Sequence, residues 1–225
     1  MHPVKKLEGR FGLGLIMALA MQLLMGAPAV WAAGPMEDIK NLIAEVQTIL
    51  QTNNDKATRL RLIEQSALRR IDYQEMSKRS LEQTWNTISK AQRTEFLRLF
   101  TALLKASYAD KLDDFAKSTV TYQGETQKGE TAEVRVQINR TNDKIPVRFQ
   151  LLKGPQGWMV YDLIVEDVSL VDNFRTEFGR IIKASSFTAL LKCMQLKLQA
   201  NLADLKEACP TPPKAAPKPR RKEGG

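Results

Sequence analysis

Residues 158–178 read WMVYDLIVEDVSLVDNFRTEF, and this stretch changes its periodicity near the middle. The first half, through Glu166, has the aromatic and β-branched composition of a strand. The second half places apolar residues at helical spacing, and this pattern continues to Ile182. Three polar residues at the junction are candidate helix caps, namely Ser169, Asp172 and Asn173. One short segment therefore predicts a strand that is joined directly to a helix.

The same stretch resembles the signature of the MlaC / toluene-tolerance family, which runs W-x-V-Y-D-x-x-x-E-x-V-S-L-V-x-N-[FY]-R-x-x-F. Upstream, IDYQEMSKRSLEQTW and SKAQRTEFLRLFTALLKASYADKL are similar to the family's Asp-aromatic segment, its Trp position and its Q-R-x-x-F helix. The sequence departs from that pattern at Glu82 and Asp167, where the family commonly has Gly. Asp is one of the few residues that tolerates a positive φ in place of Gly. The resemblance covers most of the chain, from Pro35 to Leu198.

This resemblance implies a soluble periplasmic carrier of a Gram-negative bacterium that holds phospholipid acyl chains in an apolar cavity. Such a carrier shuttles lipid between an inner-membrane ABC transporter with an MCE-type subunit and an outer-membrane lipoprotein–porin complex. This transport maintains the lipid asymmetry of the outer membrane. The resemblance implies phospholipid as the only ligand, and it implies no cofactor and no enzymatic activity. We expect a monomer.

Apolar residues on the facing sides of the predicted helices and strands are the candidate lipid-binding residues. Each of them taken alone also fits an ordinary hydrophobic core, and the sequence leaves that choice open. Arg175 is the candidate headgroup contact, since its guanidinium fork suits phosphate oxygens. The alternative for Arg175 is a structural ion pair with Asp162 or Glu166. The candidate lipid-binding residues are Phe96, Phe100, Leu103, Tyr108, Val147, Phe149, Val160, Val168, Phe174 and Phe178.

The remaining pattern predicts an α+β fold: a four-stranded antiparallel meander with helices packed on its apolar face, enclosing a hydrophobic cavity. Apolar stripes indicate helices over 36–51 and 56–67, a short helix from Asp72, and a longer one that Ser89 caps. After residue 117, alternating patterns separated by polar turns indicate strands. Pro146 favours an edge position or the start of its strand.

The ends of the chain differ in character from its middle. Residues 1–32 combine a basic start, an apolar run and small residues, which predicts a cleaved secretory signal. Residues 33–209 form one predicted domain, and residues 210–225 a Pro-rich, basic, disordered tail. Of the formal net charge of +9, two units lie in the signal and four in the tail, which leaves three for the domain. That distribution argues against a nucleic-acid-binding protein, whose basic excess lies on the folded domain.

Two further observations limit the chemistry. The single His lies at position 2, so the predicted mature chain has no His for a metal site or a catalytic triad. Cys193 and Cys209 are sixteen residues apart, and one continuous helix would hold them ~24 Å apart. We therefore expect no intramolecular bridge unless the chain reverses near Asn201. A pocket enzyme with Asp162 as a perturbed acid, or a ligand-free chaperone-like protein, are the competing functions.

Overall fold

The computed structural model describes residues 34–53, 55–108, 112–155, 157–200 and 209, with only the backbone of Tyr108 and Asp113. The predicted signal at 1–32 and the predicted tail at 210–225 lie outside the described residues. The described residues belong to one compact unit.

Helices form the first half of the described chain, and three of them begin at a polar residue whose side chain caps the helix. Asp55 accepts from the Thr58 N–H at 2.7 Å, and Asp72 accepts from the Glu75 N–H at 2.8 Å. Ser89 and Gln92 bond reciprocally, which confirms the predicted cap. The helices are α1 (Pro35–Thr52), α2 (Lys56–Leu68), α3 (Tyr73–Leu81), α4 (Gln83–Thr87), α5 (Lys90–Tyr108) and α6 (Leu112–Ala116).

An antiparallel meander follows, in the sheet order β1-β2-β3-β4-β5. The predicted number of four strands is wrong, because a fifth, two-residue strand folds back on β4. Glu166 and Asp167 both have positive φ, and they form the tight turn that pairs Val165 with Val168. A two-residue strand carries too little alternation to be read from sequence. The strands are β1 (Thr119–Lys128), β2 (Thr131–Asn139), β3 (Lys144–Gly154), β4 (Gly157–Val165) and β5 (Val168–Ser169).

Pro146 lies in a central strand, so the predicted edge position is wrong. It is the third residue of β3, and its alternative placement near a strand start agrees with the structure. The pairing between β3 and β4 ends at Val147 and Val165, so the missing Pro146 N–H interrupts no ladder bond on that side.

Two helices complete the described chain, α7 (Leu170–Ala184) and α8 (Phe187–Ala200). Cys193 on α8 forms a disulfide with Cys209, with 5.5 Å between their Cα atoms. The expectation of no bridge is therefore wrong. Its premise of one continuous helix fails, because a Cα–Cα distance of 5.5 Å is far shorter than sixteen residues of helix would allow.

Buried apolar side chains fall into two clusters. The helical cluster combines α3, α4, α5, α7 and α8, and the sheet cluster combines α1 with the inner face of the sheet. Ile71, in the segment between α2 and α3, packs against both clusters. That segment also pairs with β4: the Asp72 N–H donates to the Val160 carbonyl at 2.8 Å, and the Val160 N–H to the Arg70 carbonyl at 2.7 Å.

Candidate functional site

The junction between β4 and α7 is built around one buried carboxylate. Asp162 accepts from the Ser169 hydroxyl at 2.5 Å and from the Val171 N–H at 3.0 Å. The Ser169 hydroxyl in turn accepts from the Asp172 N–H at 3.0 Å, which makes Ser169 the N-cap of α7. Burial raises the pKa of Asp162, while the bonds from Ser169 and Val171 act in the opposite direction. Asp162 therefore bonds a helix end, and both of its oxygens are engaged.

Arg175 lies one turn further along α7 and pairs with two carboxylates on the surface. Its Nη1 lies 3.0 Å from Glu82 Oε1, and its Nη2 contacts Asp172. The predicted ion pair of Arg175 with Asp162 or Glu166 is therefore wrong. Asp162 instead accepts a bond from the start of α7. Glu82 comes close to Arg175 through the packing of α3 on α7, which the sequence pattern does not show. The role of Arg175 as a headgroup contact stays a prediction.

The two family glycine positions have positive φ in this structure. Asp167 has a φ of 64° within the β4–β5 turn, where Asp is tolerated. Glu82, between α3 and α4, has a φ of 48° and a ψ of −123°. That conformation is strained for a residue with a side chain. The ion pair with Arg175 therefore joins a strained corner of the helical cluster to the start of α7.

The predicted lipid-binding residues of the helices meet in one aromatic group. Ring centroids are 5.5 Å apart for Phe96 and Phe178, 5.1 Å for Phe100 and Phe174, and 5.3 Å for Phe174 and Phe178. Two of these three pairs meet edge to face, an arrangement that aromatic rings prefer. Leu103 is buried in the same cluster. The structure thus brings these five predicted residues together.

The predicted residues of the sheet form a second group, because Val147, Phe149 and Val160 are buried together in the sheet cluster. Phe149 is 8% exposed and Phe174 is 9% exposed, whereas Leu151 and Phe178, within the same two clusters, are 0% exposed. Phe149 and Phe174 therefore keep slightly more solvent exposure than these fully buried neighbours.

Two predicted residues do not join either group. Val168 is 61% exposed, because the β4–β5 turn places it at the sheet edge, and this does not fit a residue that lines an enclosed cavity. Tyr108 ends α5, and its side chain lies outside the described residues.

Sequence reasoning missed a second buried carboxylate. Asp38 accepts from the Trp158 N–H at 2.9 Å, and its other oxygen lies 3.1 Å from Arg70. Gly157 has a φ of 117°, and a Cβ at this position would lie 3.0 Å from the Asp38 carboxylate. Asp38 looks like an ordinary first-turn acid of α1, so only its burial beside β4 reveals the contact. It fixes the start of α1 to the start of β4.

The described ranges contain no candidate metal site and no candidate membrane-spanning helix. Within them, no cluster of three or more His, Cys, Asp or Glu residues could hold a metal ion. None of the helices in these ranges is long and apolar enough to cross a bilayer.

The fold and the site define an α+β domain in which a polar strand–helix junction lies beside two apolar clusters. The family described as "MlaC protein" matches residues 40–196, and the chain belongs to this family. A relative from Haemophilus influenzae, the intermembrane phospholipid transport system binding protein MlaC, is 25% identical over 117 residues. That alignment covers 49% of this chain and 55% of the relative, so the chain spans about half the length of that relative.

The fold is also similar to a solved structure. A phospholipid-binding protein from Ralstonia solanacearum, in complex with a phospholipid, superposes with a TM-score of 0.70 at 20% sequence identity. The similarity covers 76% of this chain and all of that chain. At this identity the likeness is evidence for the α+β fold.

Proposed function

We propose that this protein is a periplasmic phospholipid carrier. The acyl chains of the bound phospholipid would lie between the helical cluster and the sheet cluster. The observation that carries the proposal is the division of the apolar interior into two clusters within a chain of the MlaC family. The relative from Haemophilus influenzae is named for phospholipid transport, and the similar protein from Ralstonia solanacearum binds a phospholipid.

The border between the two clusters is the expected position of the acyl chains. Among the predicted lipid-binding phenylalanines, Phe149 and Phe174 keep a small exposed fraction, 8% and 9%, whereas the other three are 0% exposed. Ile71 contacts both clusters at this border. We expect these three residues to touch the lipid, and Phe96 and Phe178 to support them from within the helical cluster.

The energy of lipid burial constrains the mechanism. Each buried CH₂ contributes about 0.8 kcal/mol, so two long acyl chains contribute on the order of 20 kcal/mol relative to water. Release into solvent is therefore too slow to be useful, and lipid must pass directly to another apolar site. This favours exchange on docked membrane complexes: an inner-membrane ABC transporter with an MCE-type subunit, and an outer-membrane lipoprotein–porin complex.

An enzymatic function would depend on Asp162, the buried carboxylate with a raised pKa. Both of its oxygens accept bonds from the start of α7, which favours a structural role for this residue.

The direct test is mass spectrometry of lipid extracted from gently purified protein. We expect near-stoichiometric phospholipid in the parent. Phe174→Trp adds bulk at the border between the clusters, and we expect it to lower bound lipid by more than half. Leu196→Trp is the matched control, since Leu196 is an exposed apolar residue on α8. Parent protein that is free of lipid would refute the proposal.

Folding must be measured on the same samples, because Phe174 also packs against Phe100 and Phe178. Urea unfolding and circular dichroism report it, and Phe149→Trp provides a second variant on the sheet side. We expect both variants to lose lipid while they unfold at nearly the parent's urea concentration. Equal losses of lipid and of stability in both variants would assign these residues to the core alone.

A further inference from the structure

The outer face of the sheet carries a depression of about 220 Å³, and two of its lining residues, Val136 and Val147, also belong to the sheet cluster. Along β2 and β3, residues 135 and 148 alternate with buried valines and a phenylalanine, so their side chains lie on the outer face. The depression is lined by Gln123, Arg135, Val136, Pro146, Val147, Arg148, Ile164 and Asp167.

Two cations stand directly opposite each other across this face. Arg135 on β2 pairs in register with Arg148 on β3. Like charges in that position repel and destabilise a sheet, so the pair needs a compensating anion. The partner of Arg135 on β1 is Gly124, which has no side chain to fill the space. A Cβ on Gly124 would lie 3.4 Å from Arg135 Nη2, so the guanidinium extends over the glycine.

Each of these two cations has one carboxylate of the protein beside it. Arg135 Nη1 donates to Glu133 at 3.0 Å and to the Thr126 hydroxyl at 3.1 Å. Arg148 Nη2 donates to Asp167 at 3.0 Å, but the Asp167 side chain is 89% exposed. A pair with such an exposed partner contributes little. Two arginines and two carboxylates thus balance in formal charge, but Glu133 lies outside the lining and Asp167 extends into solvent, so the two guanidinium groups are the charged groups that line the depression most closely.

We propose that this depression binds a phosphate ester. Each guanidinium offers five N–H donors in a planar fork, and the bonds to Glu133, Thr126 and Asp167 leave several donors on both arginines. A phosphate ester has more acceptor oxygens than a carboxylate, so it can accept from both forks at once. The volume equals that of about seven water molecules at about 30 Å³ each. It therefore accommodates a phosphate with part of an attached polyol.

Phosphate esters of this kind have two sources, free metabolites and the headgroups of a phospholipid surface. The experiment uses sn-glycerol 3-phosphate and inorganic phosphate as soluble probes, followed by amide chemical shifts and calorimetry. Vesicles of phosphatidylglycerol, with phosphatidylcholine vesicles as the uncharged comparison, test the surface. A tetraglutamate peptide tests whether a carboxylate partner is preferred.

We expect glycerol phosphate to shift the amide signals of Gln123, Arg135 and Arg148. The double variant Arg135→Gln/Arg148→Gln should weaken binding at least tenfold, and Arg135→Lys/Arg148→Lys should restore only part of it, since the charge returns without the fork. Arg98→Gln is the control, because Arg98 is an exposed arginine of α5 that pairs with Glu95. Bound cargo lipid should stay at the parent level in all of these variants.

The outcomes separate the sources. Binding of the soluble ester alone assigns a free metabolite, and binding of phosphatidylglycerol vesicles that the double variant loses assigns a membrane surface. Both outcomes support the site. It is refuted if no phosphate probe binds, if the double variant binds like the parent, or if tetraglutamate binds and the phosphates do not. Any of these results leaves lipid carriage untouched, because the two apolar clusters do not include these arginines.

Discussion

Replacing Asp162 tests how the β4–α7 junction is held. In Asp162→Ala the buried Val171 N–H loses its acceptor, and the Ser169 hydroxyl loses its bond to the carboxylate. A stranded buried donor costs about 1–3 kcal/mol, and the second bond contributes about 1 kcal/mol. We expect the free energy of unfolding to fall by about 2–4 kcal/mol.

The isosteric variant separates the hydrogen bonds from the charge. In Asp162→Asn the amide oxygen still accepts from Val171, and the amide nitrogen donates to the Ser169 hydroxyl. The substitution also removes a carboxylate whose burial is unfavourable when it is charged. We expect its free energy of unfolding at neutral pH to lie within about 1 kcal/mol of the parent value.

The pH dependence follows from the direction of the pKa shift. Because burial raises the pKa of Asp162 above its ordinary value of 3.8, the folded state binds this proton more tightly than the unfolded state. The contribution of this group to stability is therefore greatest at low pH and declines as pH rises from 3.8 through the raised pKa. Asp162→Asn should lack this decline.

The assay is urea unfolding at a series of pH values, followed by circular dichroism. Asp143→Asn is the control, since Asp143 is an exposed carboxylate that pairs with Arg140, away from this junction. Equal destabilisation by Asp162→Ala and Asp162→Asn would refute the acceptor role. If the stability of Asp162→Asn declines with rising pH as it does in the parent, the decline does not come from the Asp162 carboxyl.

Three further variants test other parts of the structure by urea unfolding. Cys193→Ser removes the disulfide to Cys209, sixteen residues along the chain, and it should lower the free energy of unfolding by about 3 kcal/mol. A reductant should cause the same loss in the parent and none in the variant. Gly157→Ala forces a side chain into a positive φ beside a buried carboxylate, and it should cost about 1–3 kcal/mol; Gly34→Ala, which meets open space, is its control. Glu82→Gly relieves a strained φ but loses the exposed ion pair with Arg175, and it should stabilise by about 1 kcal/mol; a loss of stability would contradict the strain.

Local signals in the sequence predicted much of this fold. The change of period at residues 158–178 located β4 and α7, and Ser169 caps α7 as one of the three candidates. Alternation over β2 and β3 predicted which side chains point inward, because the period of a strand fixes the face of every residue. The order of the meander followed from short polar turns, which leave sequential strands adjacent.

The candidate site was predicted only in part. The helical spacing of the phenylalanines was enough to place them on one side of α5 and α7, and the structure brings them together. The exposure of Val168 depended on a two-residue turn with two positive φ angles, for which Glu and Asp are weak sequence signals. The buried role of Asp38 depended on β4, which lies 120 residues further along the chain.

The sequence by itself determined the longer elements of this protein, their order and their inward faces, because these depend on neighbours within a few residues. Only the tertiary structure decided that Arg175 pairs with Glu82, that Cys193 meets Cys209, and that the apolar interior divides into two clusters. Each of these depends on contacts between segments that are distant in the chain. Periodicity within one segment carries no information about such contacts.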